Sequence, residues 1–234
     1  MKPIGVVLAG CGYLDGAEIY ESVLTLLNLD RMGATYQCLA PDLPQMHVVN
    51  HLTGQPTGEA RGVLVEAARI ARGKIAPLDL SWVDQLDAVI FPGGFGAAKN
   101  FCDFAVKGEG CTIQPVVESF MRAMVEARKP VGAICISPVV LARALKGSGV
   151  RATLTLGALS GASAAAEAFG AIHHVCDVDD CVVDHEHLIV TTPAYMYGAR
   201  ISEVERGIEK LVKQILHMAH DVYDKPQEAI VTTA

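Results

Sequence analysis

The segment Pro130-Val131-Gly132-Ala133-Ile134-Cys135-Ile136-Ser137-Pro138-Val139-Val140-Leu141 restricts the fold more than any other. A short apolar run stops at a cysteine, and residues at helical spacing (Val139, Val140, Leu141, Ala144, Leu145) follow at once. This pattern predicts a strand, a sharp turn and a helix, with a thiol on the turn. Ala133 and Ser137 stand two places before and after Cys135. A tight strand-to-helix turn needs small residues there, because larger side chains would crowd the reactive atom. The turn lifts the sulfur out of the sheet to a helix N-terminus, whose partial positive charge favours thiolate. The competing reading is a buried inert cysteine, the usual fate of a lone one.

The rest of the chain repeats the alternation. Strands are predicted at Ile4 to Ala9, Thr35 to Leu39, Ala88 to Phe91 and Val131 to Ile134. A hairpin is predicted from Cys181 to Val183 and Leu188 to Thr191, across Asp184-His185-Glu186. Helical spacing runs from Ile19 to Met32, stopped by Gly33, then over Val63 to Ala71, Ile113 to Val125 and Ile201 to Ala219. Continuous apolar strands interleaved with helices imply an α/β fold, a mostly parallel sheet covered on both faces. Active sites in such sheets lie beyond the carboxyl ends of the strands. Cys135 and Gly93-Gly94 each follow a strand directly and belong at that edge.

With 234 residues, 51% of them hydrophobic, one domain spanning 1–234 with a large core is expected. Pro41 to Leu80 is long for one crossover and reads as an insertion, a lid or a dimer contact. The tail after Tyr223 reads as loose. Formal net charge is −7, and no dense basic cluster is present, which argues against nucleic acid and anionic membrane surfaces as partners. The apolar run at Ile4 to Gly10 is too short for a spanning or signal segment. A cytoplasmic protein, or one of a cytosol-like compartment, is the expectation. The seven cysteines are odd in number and show no C-x-x-C pair, so reduced thiols fit better than a zinc ribbon or a disulfide framework.

Three elements converge near the predicted sheet edge. Cys135 is the first. In Phe91-Pro92-Gly93-Gly94-Phe95-Gly96, glycines let the backbone approach a ligand, and the N–H groups of Gly93, Gly94 and Ile136 are candidates for an oxyanion hole. The third element is a carboxylate from Asp15-Gly16-Ala17-Glu18-Ile19-Tyr20-Glu21-Ser22. Glu18, Glu21, Thr25 and Asn28 share one helical stripe, which is either a solvated polar face or a face leaning over the elbow. An ionised carboxylate would repel a thiolate, whereas a desolvated, protonated glutamate would hydrogen-bond to it and later move protons. No histidine stands in a triad context, and His185 with His187 lacks a third ligand for a metal site.

These residues resemble ElbB, the sigma cross-reacting protein 27A-like branch of the ThiJ/PfpI superfamily. The matching segments are Leu8 to Gly12, Asp15 to Ile19, Asn50 to Gly54, Glu66 to Gly73, Phe91 to Asn100 and the Cys135 elbow. The resemblance implies a flavodoxin-like three-layer sandwich of the class I glutamine amidotransferase type, usually dimeric. It implies that Cys135 is the elbow cysteine and Glu21 its glutamate, with Glu18 the second choice. It also implies a cofactor-independent glyoxalase that turns glyoxal into glycolate without metal or glutathione, and a link by name to isoprenoid biosynthesis without a defined reaction. The sequence departs from the amidotransferases at Thr191-Thr192-Pro193-Ala194-Tyr195, the region where they carry His-x-Glu, so the glutaminase triad is absent. Ala152 to Leu156 likewise holds no histidine where superfamily glyoxalases often place one. The expected activity is conversion of a small aldehyde by Cys135 with a glutamate proton shuttle. The alternatives are a cysteine-based redox sensor and an amidotransferase-like hydrolase.

Overall fold

Four apolar runs without alternation, Ile4–Val7, Ala88–Phe91, Val131–Ile134 and Ile189–Thr192, become strands with every residue buried. Strands buried on both sides need helices on both sides. The computed structural model describes residues 1–224, so the loose tail expected after Tyr223 lies almost wholly outside the described residues. In chain order the elements are β1 (Ile4–Val7), α1 (Ile19–Arg31), β2 (Tyr36–Ala40), β3 (Val49–Asn50), β4 (Gln55–Pro56), α2 (Val63–Ile70), β5 (Ile75–Pro77), α3 (Trp82–Gln85), β6 (Ala88–Phe91), α4 (Phe104–Lys107), α5 (Pro115–Glu126), β7 (Val131–Ile134), α6 (Ser137–Leu145), β8 (Thr153–Leu154), α7 (Gly161–Ala168), β9 (Ile172–His173), β10 (Val182–Asp184), β11 (Ile189–Thr192) and α8 (Ile201–Asp224).

The fold is an α/β three-layer sandwich around a seven-stranded sheet of order β10-β11-β7-β6-β1-β2-β5. All pairings are parallel except the β10–β11 hairpin. Successive residues of each strand enter opposite cores. Val7, Phe91 and Ala133 pack with Val117, Phe120 and Met121 of α5 and Val140 and Leu141 of α6. Val6, Ile90 and Ile134 pack with Leu29 of α1 and with Val204, Ile208 and Leu211 of α8. From β1 the chain builds outward through β2 to β5, then returns to place β6 on the other side of β1. That reversal opens a crevice at the carboxyl ends of β1 and β6.

Pro41 to Leu80 is not a separate lid. It carries α2 and the edge strand β5, which pairs with β2 through Cys38–Ile75 and Leu39–Ala76. Of the strands in this segment, β3 and β4 pair with each other outside the main sheet. Ile75-Ala76-Pro77 is too brief to show a strand period, and its proline suits only a sheet edge. The small β8–β9 pair and α7 also escaped the sequence pattern, because two-residue strands and an alanine-rich helix carry almost no periodicity.

Phe120 is fully buried and meets Phe91 edge-on at 6.5 Å between ring centroids. Phe120→Ala should lower unfolding free energy by about 3–5 kcal/mol, as read from urea denaturation.

Candidate functional site

Cys135 follows the last residue of β7 and adopts φ 61°, the left-handed region that L-residues rarely occupy. Its backbone N–H donates to the Thr192 carbonyl at 3.0 Å, which ties the turn to β11. Ser137 Oγ, at the start of α6, donates to the Pro92 carbonyl at 2.8 Å. The strained turn is thus locked to the end of β11 and to the loop after β6, as such strain requires.

Glu21 comes from the first turn of α1 and is fully buried. Its Oε2 accepts the Gly93 N–H at 2.8 Å, and its Oε1 accepts the Tyr195 N–H at 3.4 Å. The Cys135 side chain lies beside this carboxyl, close enough for the two groups to shift each other's proton affinity. The backbone N–H groups of Gly94 and Ile136 are near enough to the sulfur to lower its proton affinity. Gly93 is therefore not a free oxyanion donor as expected: its N–H is occupied by Glu21, leaving Gly94 and Ile136. A Cβ at Gly93 would lie 2.5 Å from Cys135 Cβ and 2.8 Å from Glu21 Oε2, so only glycine lets these groups meet.

Glu18 has a different place. It is the N-cap of α1, its Oε2 accepting the Glu21 N–H at 2.7 Å, and it lines the cleft. The polar stripe of α1 faces inward: Glu21, Ser22, Thr25 and Asn28 are buried, while Ile19, Tyr20, Val23 and Leu27 are exposed. Apart from Glu21, these buried polar groups are satisfied by backbone carbonyls one turn earlier in the same segment. Thr25 Oγ1 donates to the Glu21 carbonyl at 2.7 Å and Asn28 Nδ2 to the Leu24 carbonyl at 3.0 Å.

The loop after β1 is strapped to the segment after β6. Asn100, buried in the turn of π-helix at Ala97–Phe101, donates to the carbonyls of Ala9 and Asp15 at 2.8 and 2.9 Å. Lys99 Nζ donates to the Leu14 carbonyl at 2.8 Å. The Gly96 N–H donates to the Gly16 carbonyl at 2.9 Å, and a Cβ on Gly96 would fall 2.4 Å from the Gly16 carbonyl carbon. Cys135 opens into a cleft of about 250 Å³ lined by Tyr13, Glu18, Gly94, Phe95, Ile136, Tyr195 and Met196. Sequence reasoning missed Tyr13, Tyr195 and Met196 as lining residues, since each reaches the cleft from a loop or short turn without a periodic signal.

The sequence matches the DJ-1/PfpI family over residues 13–195, a span that includes Glu21, Gly93, Gly94 and Cys135. The chain belongs to the DJ-1/PfpI family. It is 43% identical over 225 residues to the human glutamine amidotransferase-like class 1 domain-containing protein 3, mitochondrial, covering 92% of this chain and 82% of that protein. It is 32% identical to the zebrafish ES1 protein, mitochondrial, covering 92% of this chain and 85% of that one. The crystal structure of an isoprenoid biosynthesis protein with amidotransferase-like domain from Ehrlichia chaffeensis superposes with a TM-score of 0.87 at 34% identity, covering 93% of this chain and 99% of that one. Drosophila DJ-1beta shares the fold, with a TM-score of 0.52 at 18% identity over 95% and 98% of the two chains. The expected cytoplasmic location is corrected by these comparisons, because the human, rat and zebrafish relatives are all named as mitochondrial proteins.

Electrostatics at this DJ-1/PfpI elbow differ from the expected helix-stabilised thiolate. Burial, then the nearby Glu21 charge, push the Cys135 thiol well above its ordinary range and outweigh the Gly94 and Ile136 N–H groups. Cys135 is only 7% exposed. Burial, followed by the Glu18 charge, raises Glu21 to about 8, against the opposing hydrogen bonds. At neutral pH the pair is mostly protonated, so the carboxyl and thiol do not face each other as two anions. Among the described residues no histidine lines the cleft, and no three His, Cys, Asp or Glu side chains gather as a metal would need. His187 Nδ1 pairs with Asp184 Oδ2 at 3.0 Å instead. At the amidotransferase His-x-Glu place, Thr191 Oγ1 accepts the Thr155 N–H at 2.8 Å and Thr192 Oγ1 donates to the Asp180 carbonyl at 2.7 Å.

A carboxyl whose folded pKa lies above its unfolded one adds stability at low pH that is lost as pH rises through the folded value. The wild type should therefore weaken relative to Glu21→Gln between about pH 4.5 and 8, by on the order of 5 kcal/mol. Chemical denaturation of both proteins across that range reads the difference.

Proposed function

We propose that this DJ-1/PfpI protein is a thiol-dependent isomerase of small 2-oxoaldehydes, a glyoxalase that converts glyoxal to glycolate. The observation that carries this reading is the buried Glu21–Cys135 pair, its carboxyl held by the Gly93 N–H beside a sulfur that faces two further N–H groups. In the reactive form the pair holds one proton. Glu21, ionised, takes the thiol proton as sulfur adds to one aldehyde carbon. The Gly94 and Ile136 N–H groups receive the charge that develops on the carbonyl oxygen. Returning the proton to that oxygen gives a hemithioacetal. Glu21 next removes the hydrogen on that carbon and delivers it to the adjacent one through an enediol, which leaves a thioester. Water hydrolyses the thioester to glycolate and frees the thiol, so glyoxal and one water account for every atom. The protein supplies the thiol that glutathione would otherwise bring.

A sensor needs an accessible thiol of low pKa. Cys135 is buried with a raised pKa, so we rank that alternative below the isomerase. The amidotransferase reading ranks last, because the stretch Thr191 to Tyr195 holds neither a histidine nor a glutamate, and its two threonine hydroxyls are bonded to the backbone. ElbB-like membership and a homodimer go with the same proposal. The isoprenoid wording in the name of the Ehrlichia relative brings no reaction with it.

Cys135→Ser should abolish conversion of glyoxal to glycolate, followed by glycolate formation. Retained turnover would rule the mechanism out. Since the ionised fraction of Glu21 is small below its raised pKa, kcat/KM should climb about tenfold per pH unit up to about pH 8 and then level. A profile flat from pH 5 to 9 would exclude Glu21 as the proton carrier.

A further inference from the structure

The cleft is larger and greasier than a two-carbon dialdehyde requires. Its volume of about 250 Å³ holds at least about eight water-sized groups at about 30 Å³ each. Glyoxal has four heavy atoms and would leave much of that space to water. Three of the lining residues are aromatic, Tyr13, Phe95 and Tyr195, and Met196 and Ile136 complete an apolar wall. Two of the rings are costly to leave in water: Phe95 is 50% exposed and Tyr13 49%. Partly exposed aromatic rings around a concave mouth mark a place where an apolar group docks.

The rings are held in place before any ligand arrives. The Phe95 N–H donates to the Tyr13 carbonyl at 2.8 Å, which joins the two walls. Lys99 Nζ sits 5.3 Å from the centre of the Phe95 ring, and the Tyr13 ring meets His51 edge-on at 5.4 Å. Tyr195 is backed by Tyr20 at 6.3 Å between ring centroids. Preorganised rings lose little freedom when a flat ligand enters.

Charge narrows the class further. None of the eight residues lining the cleft is cationic. Lys99, the base beside the Phe95 ring, is already bonded to the Leu14 carbonyl. The charged group at the wall is Glu18, with Glu21 beneath it. An anion would meet the Glu18 carboxylate with no arginine or lysine among the described lining residues to receive it, whereas carboxylate and phosphate sites are ordinarily built on such groups.

We infer that the cleft takes neutral aryl carbonyl compounds, arylglyoxals for the reaction proposed above, and turns away carbonyl compounds bearing a carboxylate or a phosphate. The catalytic half of this statement rests on the isomerase reading, while the binding half does not. For an arylglyoxal the chemistry is unchanged. Sulfur adds to the terminal aldehyde, Glu21 moves its hydrogen to the adjacent ketone carbon, and water releases the 2-hydroxy acid.

The test separates binding from turnover. Amide resonances of Gly94 and Ile136 in the labelled full chain are followed during titration with acetophenone and with benzoate. Acetophenone should shift both saturably, with a Kd at least about tenfold below that of benzoate. In turnover, phenylglyoxal should exceed both glyoxal and 4-carboxyphenylglyoxal in kcat/KM by about tenfold or more. Phe95→Arg, at a half-exposed position, should raise kcat/KM for the carboxylated compound relative to phenylglyoxal. Equal binding of acetophenone and benzoate, binding of neither, or glyoxal as the best substrate would overturn the inference. Binding of acetophenone in preference to benzoate, with no aldehyde turned over, would support the ligand class and overturn the isomerase reading alone.

Discussion

A carboxyl cut off from water governs this site. Glu21 has no solvent exposure, yet it must face a sulfur atom and the N–H of Gly93 at 2.8 Å. Leaving it ionised in that place is costly, so the fold holds it largely as the acid, with a pKa pushed up to about 8. Several separate features depend on that one placement. The glycine at position 93 admits the carboxyl, and α1 is rotated so that its polar stripe points into the protein. The left-handed turn at Cys135 brings the thiol to meet it.

The strand order explains why these parts meet. β1, β6 and β7 are neighbours, and the chain leaves all three at the same sheet edge. The loop after β1 leads to Glu18 and Glu21, the loop after β6 supplies Gly93 and Gly94, and the turn after β7 supplies Cys135 and Ile136. Asn100 then fastens the first loop to the second through the Ala9 and Asp15 carbonyls and accepts the Met46 N–H at 2.9 Å. Its buried amide thus satisfies backbone groups that would otherwise be orphaned beneath the cleft.

The Cys135 elbow was legible because it combines three local demands: an apolar run, small flanking residues and an immediate helical pattern. The Pro-Gly-Gly corner was legible as a turn, but the split of labour between its glycines was not. Both N–H groups look alike in sequence, and only the position of Glu21 decides that Gly93 is occupied while Gly94 faces the sulfur. The choice between Glu18 and Glu21 was open for a similar reason. The two are three residues apart, one turn of helix, and the cap geometry at Glu18 settles which of them points at Cys135. The ionisation of the thiol was misjudged because a helix N-terminus acts over one turn, while desolvation depends on every group packed around the sulfur.

The layers and the nucleophile's turn follow from local residue patterns alone. Uninterrupted apolar strands cannot be soluble without helices on both faces, and a thiol between small residues at a strand end has few other conformations open to it. The chemistry of that thiol comes instead from the packed surroundings. Burial, the Glu21 carboxyl, the aromatic walls from Tyr13, Phe95 and Tyr195, and the lack of a lining cation arise from segments up to 174 residues apart, as in the Tyr195–Glu21 hydrogen bond. Proton affinity and ligand fit are properties of such assembled surroundings, which no single stretch of chain contains.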